Sequence, residues 1–584
     1  MLSKLRNLVH HRVSLHRLQP LSHGRQWLRL HSTAAACPSP YSDVRIPDDT
    51  TLPDFVLSRT FRYGDRPALV DHVSGRVLTY EQLGRQAWRV ACALQERGLR
   101  KGERVALLAP NMPEFPVALL GVTMAGGVVT PVNPSCTTKE LQHQVSDAGA
   151  RYLFTTPELL YHLAGLSHIF KDVYVFGEAE GEAGALATPF AELLEPRIIS
   201  ALWEQHRPRT DVAVLPYSSG TTGRPKGVCL THRNLIANLR QFDNEAFNRL
   251  SHWDAVLGLL PFSHIYGLTV ALLASLLRGS CVVTVPKFEP ATVLEALQRH
   301  RIAVGYVVPP VVQFLATSPA AAQYDLSRLR DLVSGAAPLG LGPAQACARR
   351  LRVSVRQVYG LTEAGPVSHV LPFEAVHKHR SVGRLVSNMA LRIVDPDTGA
   401  AVPRGATGEL LVRGPNVMSG YLHAPEGMAS VIDGEGYLHT GDLGYMDEDG
   451  DCYIVDRCKE VIKSKGFQVA PAELEDVLRT HPAVEDCGVI GIPVDGDEAP
   501  MAFIVLKKGL EPSAALGTTI VEFAAWQTAP CKRIRAVGFI EAIPRAPSGN
   551  ILRRHLRDLR AAELTAPVQF QRPNDECAKE YGWD

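Results

Sequence analysis

The chain has 584 residues, 46% hydrophobic and 21% charged, a length beyond what one hydrophobic core serves, so two or more globular domains are expected. Lys+Arg (61) and Asp+Glu (60) nearly cancel, which removes bulk charge as a reason to expect nucleic acid or an acidic membrane as partner. The 11 cysteines are scattered with no C-x-x-C pair, arguing against a disulfide framework or structural zinc, and no long uncharged apolar run predicts a membrane span.

Residues 1–42 carry Lys4, Arg6, Arg12, Arg17, Arg25 and Arg29, and the first acidic residue is Asp43. Leu2, Leu5, Leu8 and Val9 recur at helical spacing. This basic, acid-free, amphipathic composition is that of a mitochondrial transit peptide; a basic tail without structure is the other reading. The expected location is the mitochondrial matrix, or the cytoplasm if the segment is not an address.

From Thr79 the chain alternates helix and strand. Thr79-Tyr80-Glu81-Gln82 has capping-box spacing, and Leu83, Ala87, Val90, Ala91 and Leu94 repeat on one helix face before Gly98. Arg104–Ala109 reads as a buried strand, Phe115–Ala125 as a buried helix and Val128–Val132 as the next strand. Strand-like Val212–Leu215, Val256–Leu260, Cys281–Val285 and Val304–Val308 follow, with Ala291–His300 as an intervening helix. Such alternation predicts an α/β fold, a large N-terminal domain of mixed, largely parallel sheets with helices. Gly177–Thr188 reads as an exposed loop, and Gly408–Val412 and Cys452–Val455 as short strands. A boundary falls near Asp456-Arg457-Cys458-Lys459. Beyond it, helices at Pro471–Thr480, Thr519–Gln527 and from Ile551, with strands at Val484–Ile492, Met501–Leu506 and Ala536–Ile540, predict a small α+β C-terminal domain.

The strongest local signal is Ser218-Ser219-Gly220-Thr221-Thr222-Gly223-Arg224-Pro225-Lys226-Gly227. Glycines let a backbone bend around an anion, hydroxyls donate hydrogen bonds, and Lys226 adds positive charge. It is not a Walker loop, because Lys226 follows Pro225 and leads into strand-like Val228-Cys229-Leu230 rather than opening a helix. A polar hairpin tip is the bland alternative; the concentration of glycine, hydroxyl and charge favours a polyphosphate site.

This loop resembles the phosphate-binding signature of the adenylate-forming enzymes: acyl-CoA synthetases, peptide-synthetase adenylation domains and firefly luciferase. Further blocks agree in order and spacing over roughly residues 50 to 560. They are Leu260-Pro261-Phe262-Ser263-His264-Ile265-Tyr266-Gly267-Leu268, Ser334-Gly335-Ala336-Ala337-Pro338-Leu339, Gln357-Val358-Tyr359-Gly360-Leu361-Thr362-Glu363-Ala364-Gly365-Pro366, Tyr437-Leu438-His439-Thr440-Gly441-Asp442, and the stretch from Asp456 to Pro471. The last block and Lys287-Phe288-Glu289-Pro290 resemble the 4-coumarate–CoA ligase and luciferase branch most.

The resemblance implies an acid–thiol ligase using ATP, Mg²⁺ and CoA with a small-molecule carboxylic acid, fatty or aromatic. After the leader read at 1–42, it implies an AMP-binding domain at 46–456, a small, mobile C-terminal lid domain at 457–563 and a tail at 564–584. Glu363 would be the Mg²⁺ carboxylate and Thr362 a partner of the α-phosphate. ATP/AMP contacts would come from Ser218, Ser219, Gly220, Thr221, Thr222, Lys226, Ala336, Gln357, Val358, Tyr359, Asp442, Arg457 and Asn550, with Ala336 and Tyr359 as the adenine wall and Asp442 on the ribose. His264, Tyr266, Val358 and Pro366 would line the acyl pocket; Lys287, Lys465 and Gly466 would contact CoA; Lys459 would be the hinge and Lys463 would act in thioester formation. His264, Thr362, Glu363 and Lys463 are thus the expected catalytic group. One position departs: Asn550 stands where the family pattern has the lysine that bridges carboxylate and α-phosphate. That departure keeps two alternatives open, a nucleotide-binding pseudo-ligase and a luciferase-like monooxygenase. Neither a monomer nor a homodimer is specified by the sequence.

Overall fold

The computed structural model describes residues 36–58, 60–179, 185–196, 206–218, 225–423, 431–458, 460–464, 467–494, 497–528, 532–545, 549, 551–562 and 568–569. Two nine-stranded sheets form the frame of the N-terminal domain. In the first, Val212–Val214, Val128–Val132, Arg104–Leu108, Ala150–Thr155, Asp172–Val175 and Thr188–Pro189 run parallel as neighbours. Antiparallel Lys226–Thr231, Tyr217–Ser218 and Gly420–Tyr421 complete one side. In the second, Ser354–Gly360, Asp331–Ser334, Val304–Val307, Ala255–Gly258, Cys281–Thr284 and Pro67–Asp71 are parallel neighbours, with antiparallel strands at both edges.

The apolar pattern explains the layering. Tyr80–Glu96 begins at the expected capping box, Thr79 with Gln82, and buries Leu83, Ala87, Val90, Ala91 and Leu94. Glu114–Met124 is apolar on every side and nine of its residues from Phe115 to Thr123 are buried, as a helix between layers must be. A five-stranded antiparallel sheet follows, in the order Cys37–Pro38, Ala390–Val394, Gly408–Arg413, Leu438–Met446 and Cys452–Arg457.

The small C-terminal domain has the hairpin Ile462–Ser464 with Phe467–Val469 and a four-stranded sheet. Its strands Val484–Val494, Asp497–Leu506 and Ala536–Phe539 pack a core of Val489, Ile504, Ile520 and Val537 against the helices Pro471–Leu478 and Ala514–Ala525.

Some expected limits move. The helix read from Thr519 starts at Ala514 because Ser513 accepts from Leu516 N–H at 3.2 Å. The last helix starts at Arg553 rather than Ile551, since Ile551 bridges back to Arg545. Within the stretch read as a leader, residues 36–42 belong to the folded body: Cys37 pairs with Leu391, Ser39 Oγ donates to Leu385 O at 2.9 Å, and Tyr41 packs edge-on to Phe247. Part of the expected loop at 177–188 and most of the leader lie outside the described residues. Among the described residues no helix is long and apolar enough to cross a membrane.

Candidate active site

The glycine- and hydroxyl-rich signature is flanked by two paired strands. Tyr217 pairs with Gly227 and Ser218 with Lys226, so the motif is an antiparallel hairpin. Its tip, with Ser219, Gly220, Thr221 and Thr222, lies outside the described residues. At the hairpin base, Ser218 Oγ donates to Glu363 Oε1 at 2.8 Å, and Tyr421 Oη donates to the same oxygen at 2.8 Å. Lys226 Nζ lies 5.2 Å from the centre of the Tyr421 ring, within cation–π range.

Glu363 is presented by a single helical turn, Thr362–Ala364, in which Thr362 is half-buried. A strand ends just before it at Gly360, where a Cβ would come within 1.9 Å of Pro366 O; glycine is required for that close return of the chain. Pro366 itself is buried behind this turn.

The same strand carries the next group. Tyr359 Oη donates to Asp442 Oδ2 at 2.7 Å, and Arg457 Nε lies 3.4 Å from Asp442 Oδ1. Asp442 and Arg457 are cross-strand partners. Burial raises the Asp442 pKa; Arg457 and the Tyr359 hydrogen bond oppose the rise, while Glu363 and Glu409 add to it. Glu363 is therefore close enough to act on Asp442 through charge, and the two carboxylates share one region. Gln357 is committed to the frame: its Oε1 accepts from Leu339 N–H at 3.3 Å and its Nε2 donates to His379 O at 2.7 Å.

Ala336 adopts a left-handed φ of 68°, directly after Gly335. A Cβ on Gly335 would stand 2.7 Å from Val358 Cγ1 and 3.0 Å from the Tyr266 ring, so these three residues form one tight wall. The Tyr266 hydroxyl is spent on Val333 O at 2.9 Å, leaving the ring as its contribution. His264 is solvent-accessible yet surrounded by enough protein for desolvation to lower its pKa, the combination expected of a cleft-lining side chain. Its Nδ1 accepts from Tyr266 N–H at 3.2 Å, which places the neutral ring's proton on Nε2.

The remaining candidates divide. Lys287 is exposed and paired with Glu289 at 2.7 Å. The Lys463 backbone pairs with Gln468 in the small hairpin. Lys459, Lys465, Gly466 and Asn550 lie outside the described residues. Two arginines near Asn550 in sequence whose side chains are described are engaged elsewhere. Arg545 Nη2 pairs with Asp486 at 2.8 Å, and Arg553 Nη2 donates to Glu475 at 2.7 Å. Gly549 comes against the N-terminal domain, where a Cβ on it would lie 3.4 Å from Pro310 Cδ. Asp447, Asp449 and Asp451 also converge, but Lys378 Nζ lies 2.8, 2.7 and 2.7 Å from them, so an internal cation already fills that group.

The AMP-binding enzyme family matches residues 58–422, and the AMP-binding enzyme C-terminal domain matches residues 473–550. The chain belongs to the AMP-binding enzymes. Among curated relatives, 4-coumarate-CoA ligase 1 of Narcissus pseudonarcissus is 40% identical over 543 residues, covering 89% of this chain and 96% of the relative. Two solved structures are similar across the whole fold. ATP-bound MatB from Rhodopseudomonas palustris has a TM-score of 0.79 at 29% identity, covering 88% of this chain and 99% of that one. The anthranilate CoA ligase AuaEII, in complex with anthranoyl-AMP, has a TM-score of 0.80 at 28% identity, covering 89% and 99%.

In this AMP-binding enzyme, sequence reasoning missed Tyr421, Thr440 and Glu409. Thr440 Oγ1 accepts from Asp442 N–H at 3.1 Å, and Glu409 Oε1 accepts from Gly441 N–H at 3.1 Å, so both shape the turn that aims Asp442. The signal available for Tyr421 was an aromatic after glycine, which reads equally as ordinary core.

Proposed function

We propose that this protein is an ATP-dependent carboxylic acid–CoA ligase: the acid and ATP give an acyl-adenylate and pyrophosphate, then CoA thiol gives acyl-CoA and AMP. The observation that carries this reading is the joining, in one region, of Glu363 with its hydroxyl donors and Asp442 with Tyr359 and Arg457.

The chemistry follows from these groups. Asp442, with one donor on Oδ2 and a guanidinium beside Oδ1, is a fixed acceptor for the ribose hydroxyls. Lys226 and the hairpin supply positive charge and donors for the phosphates, and Thr362 stands beside Glu363 to donate to the α-phosphate. Glu363 fits Mg²⁺: it is a hard oxygen ligand, and Oε1 alone takes the described hydrogen bonds. Bound there, Mg²⁺ would offset charge between the phosphates and the attacking carboxylate.

His264 and the Gly335, Val358 and Tyr266 wall are read as the acyl pocket. The 4-coumarate and anthranilate ligases among the relatives support an aromatic acid, and Val358 against Gly335 narrows the space. An aromatic acid shorter than a hydroxycinnamate, or a slim fatty acid, suits that wall. Lys287, Lys465 and Gly466 are read as CoA contacts, Lys459 as the hinge of a mobile lid, and Lys463 as its thioester-stage residue. Asn550 is read as a neutral substitute for a transition-state cation, and the basic leader as a mitochondrial address whose removal leaves Cys37 onward in the body.

Pyrophosphate release from ATP over a panel of aromatic and fatty acids tests the reading, with acid-dependent release expected. Synthetic acyl-AMP with CoA assays the second half separately. Silence in both, with no nucleotide bound, would overturn the ligase assignment.

A further inference from the structure

We propose that Tyr421 is a positioning residue for the cation carboxylate, anchoring one oxygen of Glu363 together with Ser218 so that the other is presented to Mg²⁺ on the nucleotide. This rests on the reading of Glu363 given above.

Two hydroxyls from separate segments converge on one atom. Ser218 Oγ and Tyr421 Oη each donate to Glu363 Oε1 at 2.8 Å. Among the described residues, Oε2 receives no hydrogen bond. Turning the carboxylate about its last torsion would break both bonds, so Oε1 and Oε2 are distinguished before any cation arrives. The anchoring is backbone-deep. Val228 pairs with Tyr421, Leu422 N–H donates to Gly227 O at 2.8 Å, and Met418 N–H donates to Glu363 O at 2.8 Å. The Met418–Leu422 segment thus clasps Glu363 by main chain and by phenol while lying against the strand that carries Lys226.

A merely structural tyrosine would fill space between the strands and stack under Lys226, both of which phenylalanine can do. A positioning tyrosine needs its hydroxyl. Outer partners of metal ligands typically contribute about 10–100-fold in metal affinity, and hydrogen bonds to a charged acceptor are the stronger kind.

The test is a Mn²⁺ titration followed by electron paramagnetic resonance, with α,β-methylene-ATP saturating, on wild type, Tyr421→Phe, Ser218→Ala and Glu363→Gln. Tyr421→Phe is expected to weaken Mn²⁺ binding about 10–100-fold while metal-free affinity for the nucleotide, measured calorimetrically in chelator, is unchanged. Ser218→Ala, which leaves the aromatic packing intact, shifts Mn²⁺ affinity in the same direction and carries the test if Tyr421→Phe does not fold. In the Glu363→Gln background the Tyr421→Phe change adds nothing further. Wild-type Mn²⁺ affinity retained in Tyr421→Phe, or a parallel loss of metal-free nucleotide affinity, overturns the proposal. If wild type holds no Mn²⁺ with the nucleotide, the reading of Glu363 falls first, and the proposal with it.

Discussion

Tyr359 and Asp442 are joined at 2.7 Å through Oη and Oδ2, a buried bond that trades stability for a fixed acceptor. Burial is the main reason the Asp442 pKa is raised. A raised carboxyl pKa means the folded chain holds that proton more tightly than the unfolded one. Its contribution is most favourable below the unfolded value of about 3.9 and is lost as pH rises through the folded value. Above the folded value the carboxylate is ionised and the cost is fully present.

Asp442→Asn removes that cost and keeps an acceptor for Tyr359, while Arg457, exposed, returns to water. Calorimetry at pH 7 is expected to show a higher Tm than wild type. Nucleotide affinity moves the other way, falling about 10–100-fold, the value of losing hydrogen bonds to a charged acceptor. A variant that loses stability at pH 7 would show that the carboxylate is compensated more fully than its partners suggest.

Acid sensitivity has a definite source in two histidines. Burial pushes the pKa values of His232 and His369 down to about 3. His232 Nδ1 accepts from Leu52 N–H at 3.0 Å, and His369 Nε2 is buried without a hydrogen-bond partner among the described residues. An unfolded histidine takes its proton near pH 6.5, so stability present above that pH is lost as pH falls toward 3. Between pH 7 and 5 the two together should remove about 4 kcal/mol. His369→Phe abolishes one of the two contributions and should lessen the stability lost between pH 7 and 5 by about 2 kcal/mol in denaturant unfolding. An unchanged loss would place the acid-sensitive groups elsewhere.

What was legible in the sequence was local. The helix Tyr80–Glu96 was readable because capping box and apolar period agree, and the site blocks were readable because each brings its donors within ten residues. The helix at Ala514 was misplaced because Ala514-Ala515-Leu516-Gly517 shows no period and only Ser513 marks its start. The strand Asp497–Leu506 extends past its apolar part because its partner Val484–Val494 supplies hydrogen bonds to acidic residues. Tyr421 and Glu409 act across 58 and 32 residues on Glu363 and Gly441, and no periodicity encodes such a meeting.

Arg356 fixes the strand that delivers Gln357, Val358 and Tyr359. Its Nε donates to Asp331 Oδ1 at 3.0 Å, its Nη1 to Leu371 O at 2.9 Å and its Nη2 to Phe247 O at 2.9 Å. With the guanidinium fully buried, Arg356→Met leaves Asp331 uncompensated and should cost about 3–5 kcal/mol, read by chemical denaturation. Replacing both, Arg356→Met with Asp331→Leu, should recover much of that loss. Failure of the double variant to recover would mean the carbonyl bonds, not the ion pair, are the main contribution.

On the proposed reading of Asn550 as a neutral substitute for a cation, adenylation is expected to be limited there. A cation there would bridge the attacking carboxylate and the α-phosphate, and the neighbouring arginines whose side chains are described are already engaged: Arg545 holds Asp486 and Gly549 O, and Arg553 holds Glu475 and Val489 O. Borrowing either would break an ion pair inside the C-terminal domain. Asn550→Lys is therefore expected to raise acid-dependent pyrophosphate release by about 10²–10³-fold, the usual value of one transition-state donor. Thioester formation from synthetic acyl-AMP and CoA should stay at the wild-type rate, because that step does not use the bridge. An equal gain in both steps would point to a change in lid closure instead, and no gain in either would show that another cation already serves the α-phosphate.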